Sequence, residues 1–238
     1  MDVVDAPPGG HPEDHHSTRT SWLRATVMGA NDGILSTGAL LLGVVAAGGD
    51  RTAVLTSGVA GLAAGAGSMA LGEYVSVSSQ RDAERADRDV ESQHLAADPE
   101  GELAELREIY EDRGLPHELA GEVAEVLMSE DPLGAHLRDE LGLTEAHRAR
   151  PLQAAVSSFF AFALGAAIPV LVAAAVGSEI RGLAIVVGTL VSLALLGALA
   201  ARLGGASVAR GSFRVLLGGA LGLAVTYAVG SLLDVAIS

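Results

Sequence analysis

Three side chains able to bind a cation lie inside two long apolar stretches of the chain. Asp32 is ten residues into the stretch 22–47, and the stretch 53–77 contains Met69 and Glu73. A carboxylate in the middle of a bilayer costs roughly 2.5–3.5 kcal/mol on insertion scales and is usually kept for function. A carboxylate and a thioether along one path suit the passage of a soft-to-borderline divalent cation. Ordinary packing also explains Met69, and a wet position at the membrane interface also explains Glu73, so Asp32 is the strongest candidate.

A second group of candidate ligands lies in an acidic segment, residues 80–150. This segment holds 20 Asp or Glu against 8 Arg and therefore most of the formal charge of −14. Residues spaced i,i+3 or i,i+4 share one helix face, and three pairs have this spacing: Glu91 with His94, Glu102 with Glu105, and His136 with Glu140. Carboxylates with imidazoles suit Fe²⁺, Mn²⁺ or Zn²⁺, whereas an all-oxygen site suits Mg²⁺ or Ca²⁺. On spacing alone, a solvated acidic face is the simpler explanation.

The remainder of the chain has the composition of a membrane domain. The chain is 50% hydrophobic with a mean hydropathy of +0.40, and about 20 apolar residues suffice to cross a bilayer. We predict spans near residues 23–47, 53–78, 152–176, 180–201 and 213–236. The fold class is therefore an all-α membrane protein with five transmembrane helices and a helical cytoplasmic domain inserted between helices 2 and 3. The predicted domains are a disordered tail (1–20), transmembrane helices 1–2 (21–79), an acidic helical metal-binding domain (80–150) and transmembrane helices 3–5 (151–238).

Turn residues divide the acidic segment into further helices. We predict helices over residues 81–95, 100–113, 116–129 and 133–141. Asp98-Pro99 and Asp131-Pro132 are interpreted as breaks, and Gly114 is interpreted as a residue that terminates a helix. The segment is thus predicted to be a small helical bundle with an acidic exterior or an acidic cleft.

The distribution of arginine predicts the orientation in the membrane. One set of connections carries Arg19, Arg24, Arg148, Arg150, Arg202, Arg210 and Arg214, whereas the opposite turns carry Arg51 and Arg181. By the positive-inside rule the N-terminus and residues 80–150 are cytoplasmic. No targeting segment is recognisable and all 15 basic residues are arginine, so we expect a bacterial plasma membrane.

Composition also excludes or favours several partners. The absence of cysteine excludes disulfides and thiolate metal sites, and the acidic excess argues against nucleic acid. Besides membrane lipid, a homodimer is favoured, because the Gly61/Gly65 and Gly218/Gly222 spacings permit close helix approach. Helix packing within one protomer is the alternative. The histidines of residues 11–16 are interpreted as part of a solvated tail, with loose metal binding as the alternative.

Four sequence motifs together identify a family. They are residues 29–33 (GANDG), residues 67–74 (GSMALGEY), residues 79–82 (SQRD) and residues 140–143 (ELGL). With these motifs, the chain resembles the vacuolar iron transporter family from Arg24 to its C-terminus. The resemblance implies a five-span protomer, a homodimer with its pathway at the dimer interface, and a cytoplasmic metal-binding domain. It also implies export of Fe²⁺ or Mn²⁺ from the cytosol by proton antiport.

The resemblance assigns roles to individual residues. Asp32 and Met69 match the carboxylate and the methionine of the family's pathway. Glutamates of its metal-binding domain are matched by Glu91, Glu102, Glu105 and Glu140. The chain departs from the plant-type pattern at His94, which replaces a glutamate, and at His136 and Leu137, which replace a methionine pair. Gly61 stands where that pattern has a glutamate before the pathway methionine.

These observations predict a transporter and not an enzyme, with the divalent metal as bound substrate and not as cofactor. Glu91, His94, Glu102, Glu105, His136 and Glu140 capture the metal, Met69 and Asp32 pass it on, and protons return through Asp32 or Glu73. The alternative is a membrane-anchored metal buffer or sensor. A di-iron enzyme is less favoured, because residues 80–150 contain one Glu-x-x-His motif, Glu91-Ser-Gln-His94, where such sites use two.

Overall fold

The computed structural model describes residues 20–143 and 149–237, with side chains for residues 26–143 and 149–232. Every secondary-structure element in this part of the chain is an α-helix, which confirms the all-α part of the predicted class. The helices are α1 (Thr20–Ala46), α2 (Arg51–Ala97), α3 (Pro99–Asp112), α4 (His117–Glu130), α5 (Pro132–Asp139), α6 (Pro151–Ala175), α7 (Ser178–Leu203) and α8 (Val208–Ile237). The histidine run at residues 11–16 lies outside the described residues, as do Arg19 and Arg148.

Five of these helices are long and apolar enough to cross a membrane, as predicted. They are α1, α2, α6, α7 and α8. Helix α2 has 47 residues, which is about 70 Å at a rise of 1.5 Å per residue. That length is more than twice the hydrocarbon core of about 30 Å. About 20 residues suffice for a crossing, so α2 is longer than a single crossing needs; the predicted span 53–78 stays a prediction.

Helix α2 also differs from the sequence prediction. We expected one helix over residues 53–78 and another over 81–95, but the structure has a single continuous helix. The physical reason is the absence of a breaker, because the last glycine of α2 is Gly72 and the helix contains no proline. The polar residues 78–82 mark a change of composition and not the end of a helix.

The chain divides into two compact units. The membrane unit comprises residues 1–71 and 155–238, and the acidic unit comprises residues 72–154. The largest core of the membrane unit is formed by Leu41, Leu42, Val54, Ala173, Ile185 and Leu223, which come from all five candidate spans. The acidic unit has a small core cluster of Leu106, Ala124 and Ala135, one from each of α3, α4 and α5.

Helices α1 and α6 approach each other most closely through glycine. A Cβ atom added at Gly33 would meet the Phe162 carbonyl oxygen and lie 2.9 Å from the Ala166 nitrogen, and a Cβ added at Gly165 would meet the Ala30 carbonyl oxygen. These obstacles are backbone atoms, which do not move aside as a flexible side chain does. Gly33 and Gly165 therefore permit the backbone contact that holds α6 beside Asp32.

Substitution of Gly33 is expected to destabilise the membrane unit. Gly33→Ala forces α1 and α6 apart, which costs about 1–3 kcal/mol, as overpacking does in other cores. Gly67→Ala is the matched control, because no atom lies within 4 Å of a Cβ added there, and alanine favours a helix over glycine. Thermal unfolding in detergent should show a lower midpoint for Gly33→Ala and an equal or higher one for Gly67→Ala. Equal midpoints for the two variants would contradict the close contact.

Candidate functional site

Two of the three predicted pathway residues line one cleft in the membrane unit. The cleft has a volume of about 360 Å³ and is lined by Asp32, Ser36, Thr37 and Leu40 of α1, by Gly61, Gly65, Ser68 and Met69 of α2, and by Phe162 of α6. Asp32 is exposed and Met69 is half-buried. A carboxylate and a thioether thus face the same space from two helices, as their chemistry suggested.

Two glycines of α2 allow close contact with other residues that line the cleft. A Cβ added at Gly65 would meet the ring of Phe162, and a Cβ added at Gly61 would lie 2.6 Å from Leu40 Cδ2. Phe162 is itself almost completely buried beside Ala66 and Ala166, with Met69 packed against this cluster. The packing therefore places the Met69 side chain at the edge of an apolar cluster and leaves Asp32 open to the cleft.

Glu73 is not among the residues that line the cleft. It is half-buried and belongs to the acidic unit by the division given above. Its predicted role in the pathway stays a prediction.

In the acidic unit, three helices bring four of the six predicted metal ligands together around His136. The Nδ1 atom of His136 lies 3.2 Å from Glu91 Oε1, 3.6 Å from Glu102 Oε2 and 3.4 Å from Glu140 Oε2. His136, Glu91 and Glu102 are buried, with exposed fractions of 0%, 4% and 8%. Ligand atoms of these three residues lie within 4.8 Å of one another. A buried imidazole surrounded by three carboxylates has the composition of a site for a borderline divalent cation.

Two buried polar atoms of this cluster have no hydrogen-bond partner in the described part of the chain. They are Glu91 Oε1 and His136 Nε2. The Glu91 oxygen is near His136 Nδ1 but is not oriented for a hydrogen bond. Burying a polar atom without a partner costs about 1–3 kcal/mol, and a bound cation would offset that cost at the carboxylate. The donor set and the unpartnered Glu91 oxygen fit a metal ion.

The other two predicted ligands lie at the edge of the cluster. His94 is exposed, and its Nδ1 atom is 4.0 Å from Glu102 Oε1. Glu105 is exposed, and its charge acts on Glu91. The structure therefore separates the six residues into a buried group of Glu91, Glu102 and His136, an adjoining Glu140, and a rim of His94 and Glu105.

The electrostatics of the cluster oppose ionisation of Glu91. Burial raises the pKa of Glu91 above its ordinary value, and repulsion from Glu140, Glu102 and Glu105 raises it further, while His136 acts in the opposite direction. A cation at this position would relieve both the desolvation and the repulsion. The cluster is thus arranged for a positive charge that the protein itself only partly supplies.

The same four-residue motif begins two of the helices that carry these ligands. The sequence is Asp-Pro-x-Gly at residues 98–101 and again at residues 131–134. Asp98 Oδ1 accepts a hydrogen bond from Gly101 N, and Asp131 Oδ1 accepts one from Gly134 N, each at 3.0 Å. The aspartates are N-caps and the prolines occupy the first helical turn, a common arrangement at helix starts. The predicted breaks are therefore the caps that start α3 and α5.

Several residues near these sites were not singled out from the sequence. Ser36, Thr37 and Ser68 line the cleft, and the i,i+4 spacing of Asp32 and Ser36 could have indicated the first of them. In the acidic unit, Tyr110 and Arg113 contact Asp139. No sequence signal identifies that group, because Asp139 lies 29 residues after Tyr110 and 26 residues after Arg113.

Comparison with known proteins points in one direction. The sequence model of a family described as the VIT family matches residues 23–231. The chain is 44% identical over 234 residues to "Vacuolar iron transporter" of Acanthamoeba castellanii, an alignment that covers 97% of this chain and 87% of that protein. It is 39% identical over 235 residues to "Vacuolar iron transporter homolog 1" of Oryza sativa subsp. japonica, covering 96% and 83%. It is 36% identical over 219 residues to "Vacuolar iron transporter homolog 2" of Arabidopsis thaliana, covering 92% and 87%.

Proposed function

The chain belongs to the VIT family, and from this premise we propose that it transports iron across a membrane. The substrate is Fe²⁺, with Mn²⁺ as a second substrate, and the direction is out of the cytosol in exchange for protons. The names of the relatives support iron. The observation that carries the proposal is the buried cluster around His136 in a chain with five candidate membrane spans. VIT family proteins are transporters and not enzymes.

Capture is the first step of the proposed mechanism. Glu91, Glu102 and Glu140 offer carboxylate oxygens, and His136 offers a ring nitrogen. The exposed His94 and Glu105 at the rim receive the hydrated ion first and hand it to the buried ligands. Zn²⁺ also fits this donor set, so selection among divalent metals depends on geometry and supply as well as on donor type.

Passage through the membrane is the second step. Asp32 and Met69 face the same cleft, so an ion there meets one hard and one soft donor. A thioether binds Fe²⁺ weakly enough to release it. The negative charge of Asp32 compensates the ion in a low-dielectric surrounding. Protons return through Asp32 or Glu73, and binding of metal and proton to one carboxylate would couple the two movements.

The exposed position of Asp32 in one protomer supports a homodimer. A carboxylate on a membrane helix is expected to face protein or water and not lipid. A second copy of the chain placed over the cleft would enclose Asp32, with the pathway between the two protomers. We place residues 80–150 and the N-terminus on the cytoplasmic side of a bacterial plasma membrane, on the arginine distribution of the sequence.

The rival function, a membrane-anchored metal buffer or sensor, differs in the amount of metal taken up. We expect sealed vesicles that contain the protein to accumulate many Fe²⁺ ions per chain, in a form that a detergent releases. Uptake that saturates at the binding capacity of the acidic unit would favour the buffer and overturn the transporter.

The affinity of the acidic unit for metal is expected to depend on pH. Metal ligands must be deprotonated. Because the pKa of Glu91 is raised, protons compete with the metal for this carboxylate at a higher pH than for an ordinary glutamate. The carboxylate therefore gains protons as the pH falls through that raised pKa, and the metal is displaced. Between about pH 7.5 and about pH 5.5 we expect the Kd for Mn²⁺ to rise by about tenfold or more. Titration calorimetry on the full chain would measure this, and an unchanged Kd would contradict the assignment of Glu91 and His136 as ligands.

A further inference from the structure

Asp139 joins the C-terminal ends of two helices in the acidic unit. Its carboxylate accepts hydrogen bonds from Arg113 Nη1 at 2.8 Å and from Tyr110 Oη at 3.1 Å. Arg113 Nη2 also donates to the backbone carbonyl of Asp139 at 2.8 Å. The guanidinium of Arg113 lies 4.9 Å from the centre of the Tyr110 ring. Because Arg113 caps the end of α3 and Asp139 is the last residue of α5, these bonds fasten α5 to α3.

The fastened helices carry ligands of the candidate metal cluster. Helix α5 carries His136 one turn before Asp139, and Glu140 follows Asp139 directly. Helix α3 carries Glu102 in its first turn. The bonds of Asp139 therefore connect the C-terminal ends of α3 and α5. Other residues of these two helices contribute ligands to the metal position.

Apolar packing alone is a weak restraint on α5. The helix has eight residues, and isolated helices shorter than about 12–15 residues are marginal in water. Two of its apolar side chains are buried: Ala135, in the three-helix core with Leu106 and Ala124, and Leu137. Two apolar side chains leave rotation and sliding of a short helix poorly determined. The two hydrogen bonds that Arg113 donates, to the carboxylate and to the backbone carbonyl of Asp139, are directional.

Asp139 also holds the guanidinium groups of two arginines. Its carboxylate forms ion pairs with Arg113 and with Arg138, whose Nη2 atom lies 2.6 Å from Asp139 Oδ2. Within the described residues, no arginine forms an ion pair with Glu91, Glu102 or Glu140; the ring nitrogens close to them belong to histidines. With Asp139 in place, both guanidinium groups are occupied and the carboxylates stay open for a cation.

We propose that Tyr110, Arg113 and Asp139, here named the α5 latch, are positioning residues for metal capture. The latch fixes α5 so that His136 and Glu140 face Glu91 and Glu102, and it keeps two arginines away from those carboxylates. None of its members binds the metal. The inference rests on the proposed function, because it assigns a role in binding the transported ion.

The test is Mn²⁺ binding to the full-length protein in detergent, measured by calorimetry as affinity and stoichiometry. Asp139→Asn keeps the side-chain shape and removes the charge that holds the arginines. We expect its Kd to rise about tenfold, in the range found when residues that support metal ligands are replaced, with unchanged stoichiometry. A loss that arose from partial unfolding would lower the stoichiometry instead, so the two measured quantities separate positioning from general stability.

Two further variants serve as rescue and control. Asp139→Glu keeps the charge and is expected to recover most of the affinity. Arg107→Gln breaks another arginine–carboxylate contact of α3, the one with Glu111 at 3.7 Å, which does not involve α5, and its Kd is expected to stay within about twofold of wild type. Should Asp139→Asn fail to fold, Tyr110→Phe removes one hydrogen bond of the latch and is expected to raise the Kd about two- to threefold.

Each outcome supports or overturns the inference. If Glu91→Gln strongly weakens Mn²⁺ binding and the latch variants bind as wild type does, the capture site stands and the latch is overturned. An equal loss of affinity in Arg107→Gln would also overturn it. If the wild type binds no Mn²⁺, or if Glu91→Gln binds normally, the proposed capture site is wrong and the inference falls with it.

Discussion

Replacement of Asp32 by asparagine is expected to slow metal transport strongly while leaving metal binding by the acidic unit unchanged. Asparagine keeps the size of the side chain but removes the charge that faces the cleft. We expect the transport rate to fall by about 100-fold, corresponding to ~2.7 kcal/mol in the barrier, because an ion in a low-dielectric path would lose its compensating charge. Initial rates of Fe²⁺ uptake into proteoliposomes would measure the effect.

Asp50→Asn is the matched control for this prediction. Asp50 is an exposed aspartate at the start of α2, where its Oδ1 atom accepts a hydrogen bond from Ala53 N at 2.7 Å. Asparagine caps a helix about as well as aspartate, so transport by this variant should be close to wild type. Transport by Asp32→Asn at the rate of Asp50→Asn would remove Asp32 from the pathway and favour a membrane anchor.

Replacement of Glu91 by glutamine is expected to weaken metal binding and to stabilise the metal-free protein. The loss of a charged ligand should raise the Kd for Mn²⁺ by about 100-fold, or ~2.7 kcal/mol. The raised pKa of Glu91, caused first by burial and then by the carboxylates around it, means that ionisation opposes folding. The pKa of this carboxyl group is higher in the folded than in the unfolded protein. The free energy of unfolding therefore decreases as the pH rises from the unfolded-state pKa through the folded-state pKa. Near neutral pH, glutamine therefore removes an unfavourable charge.

The gain in stability should be on the order of 1 kcal/mol at neutral pH, as found when uncompensated buried charges are removed. Chemical or thermal unfolding of the metal-free protein at pH 7 would measure it. Glu125→Gln is the control, because Glu125 is exposed on α4 and outside the cluster, so both its stability and its Mn²⁺ affinity should match wild type. A Glu91→Gln variant that is less stable than wild type without metal would show that Glu91 has a structural and not a metal-binding role.

The sequence was sufficient to predict the helices but not how far each extends. Runs of about 20 apolar residues identify all five candidate spans, because hydropathy depends on composition alone. The length of α2 was not predictable in this way, since polar residues 78–82 change the composition without breaking the helix. In the same way Asp98 and Asp131 could be recognised as boundaries, but their role as caps depends on hydrogen bonds to Gly101 and Gly134.

For the candidate metal site, too, the sequence spacing of the ligands was informative but the packing of the helices was not predictable. Helical spacing indicates that His136 and Glu140 share a face, as do Glu91 and His94, but it does not indicate which helices meet. In the structure His136 is buried at the centre, whereas His94 is exposed at the rim. That difference arises from the packing of α5 against α3 and α4. The latch contacts of Asp139 join residues 26 and 29 positions apart, which no local pattern reveals.

Simultaneous measurement of Fe²⁺ uptake and proton release by proteoliposomes tests the central claim most directly. The vesicles would be acidic inside and neutral outside, with a pH-sensitive dye trapped in the lumen. We predict that added Fe²⁺ enters at a rate that depends on the pH gradient and makes the lumen more alkaline as it enters. Protein-free vesicles should show neither change. Binding of Fe²⁺ by the protein without gradient-dependent entry or proton release would contradict the proposal that this chain is a proton-coupled iron transporter.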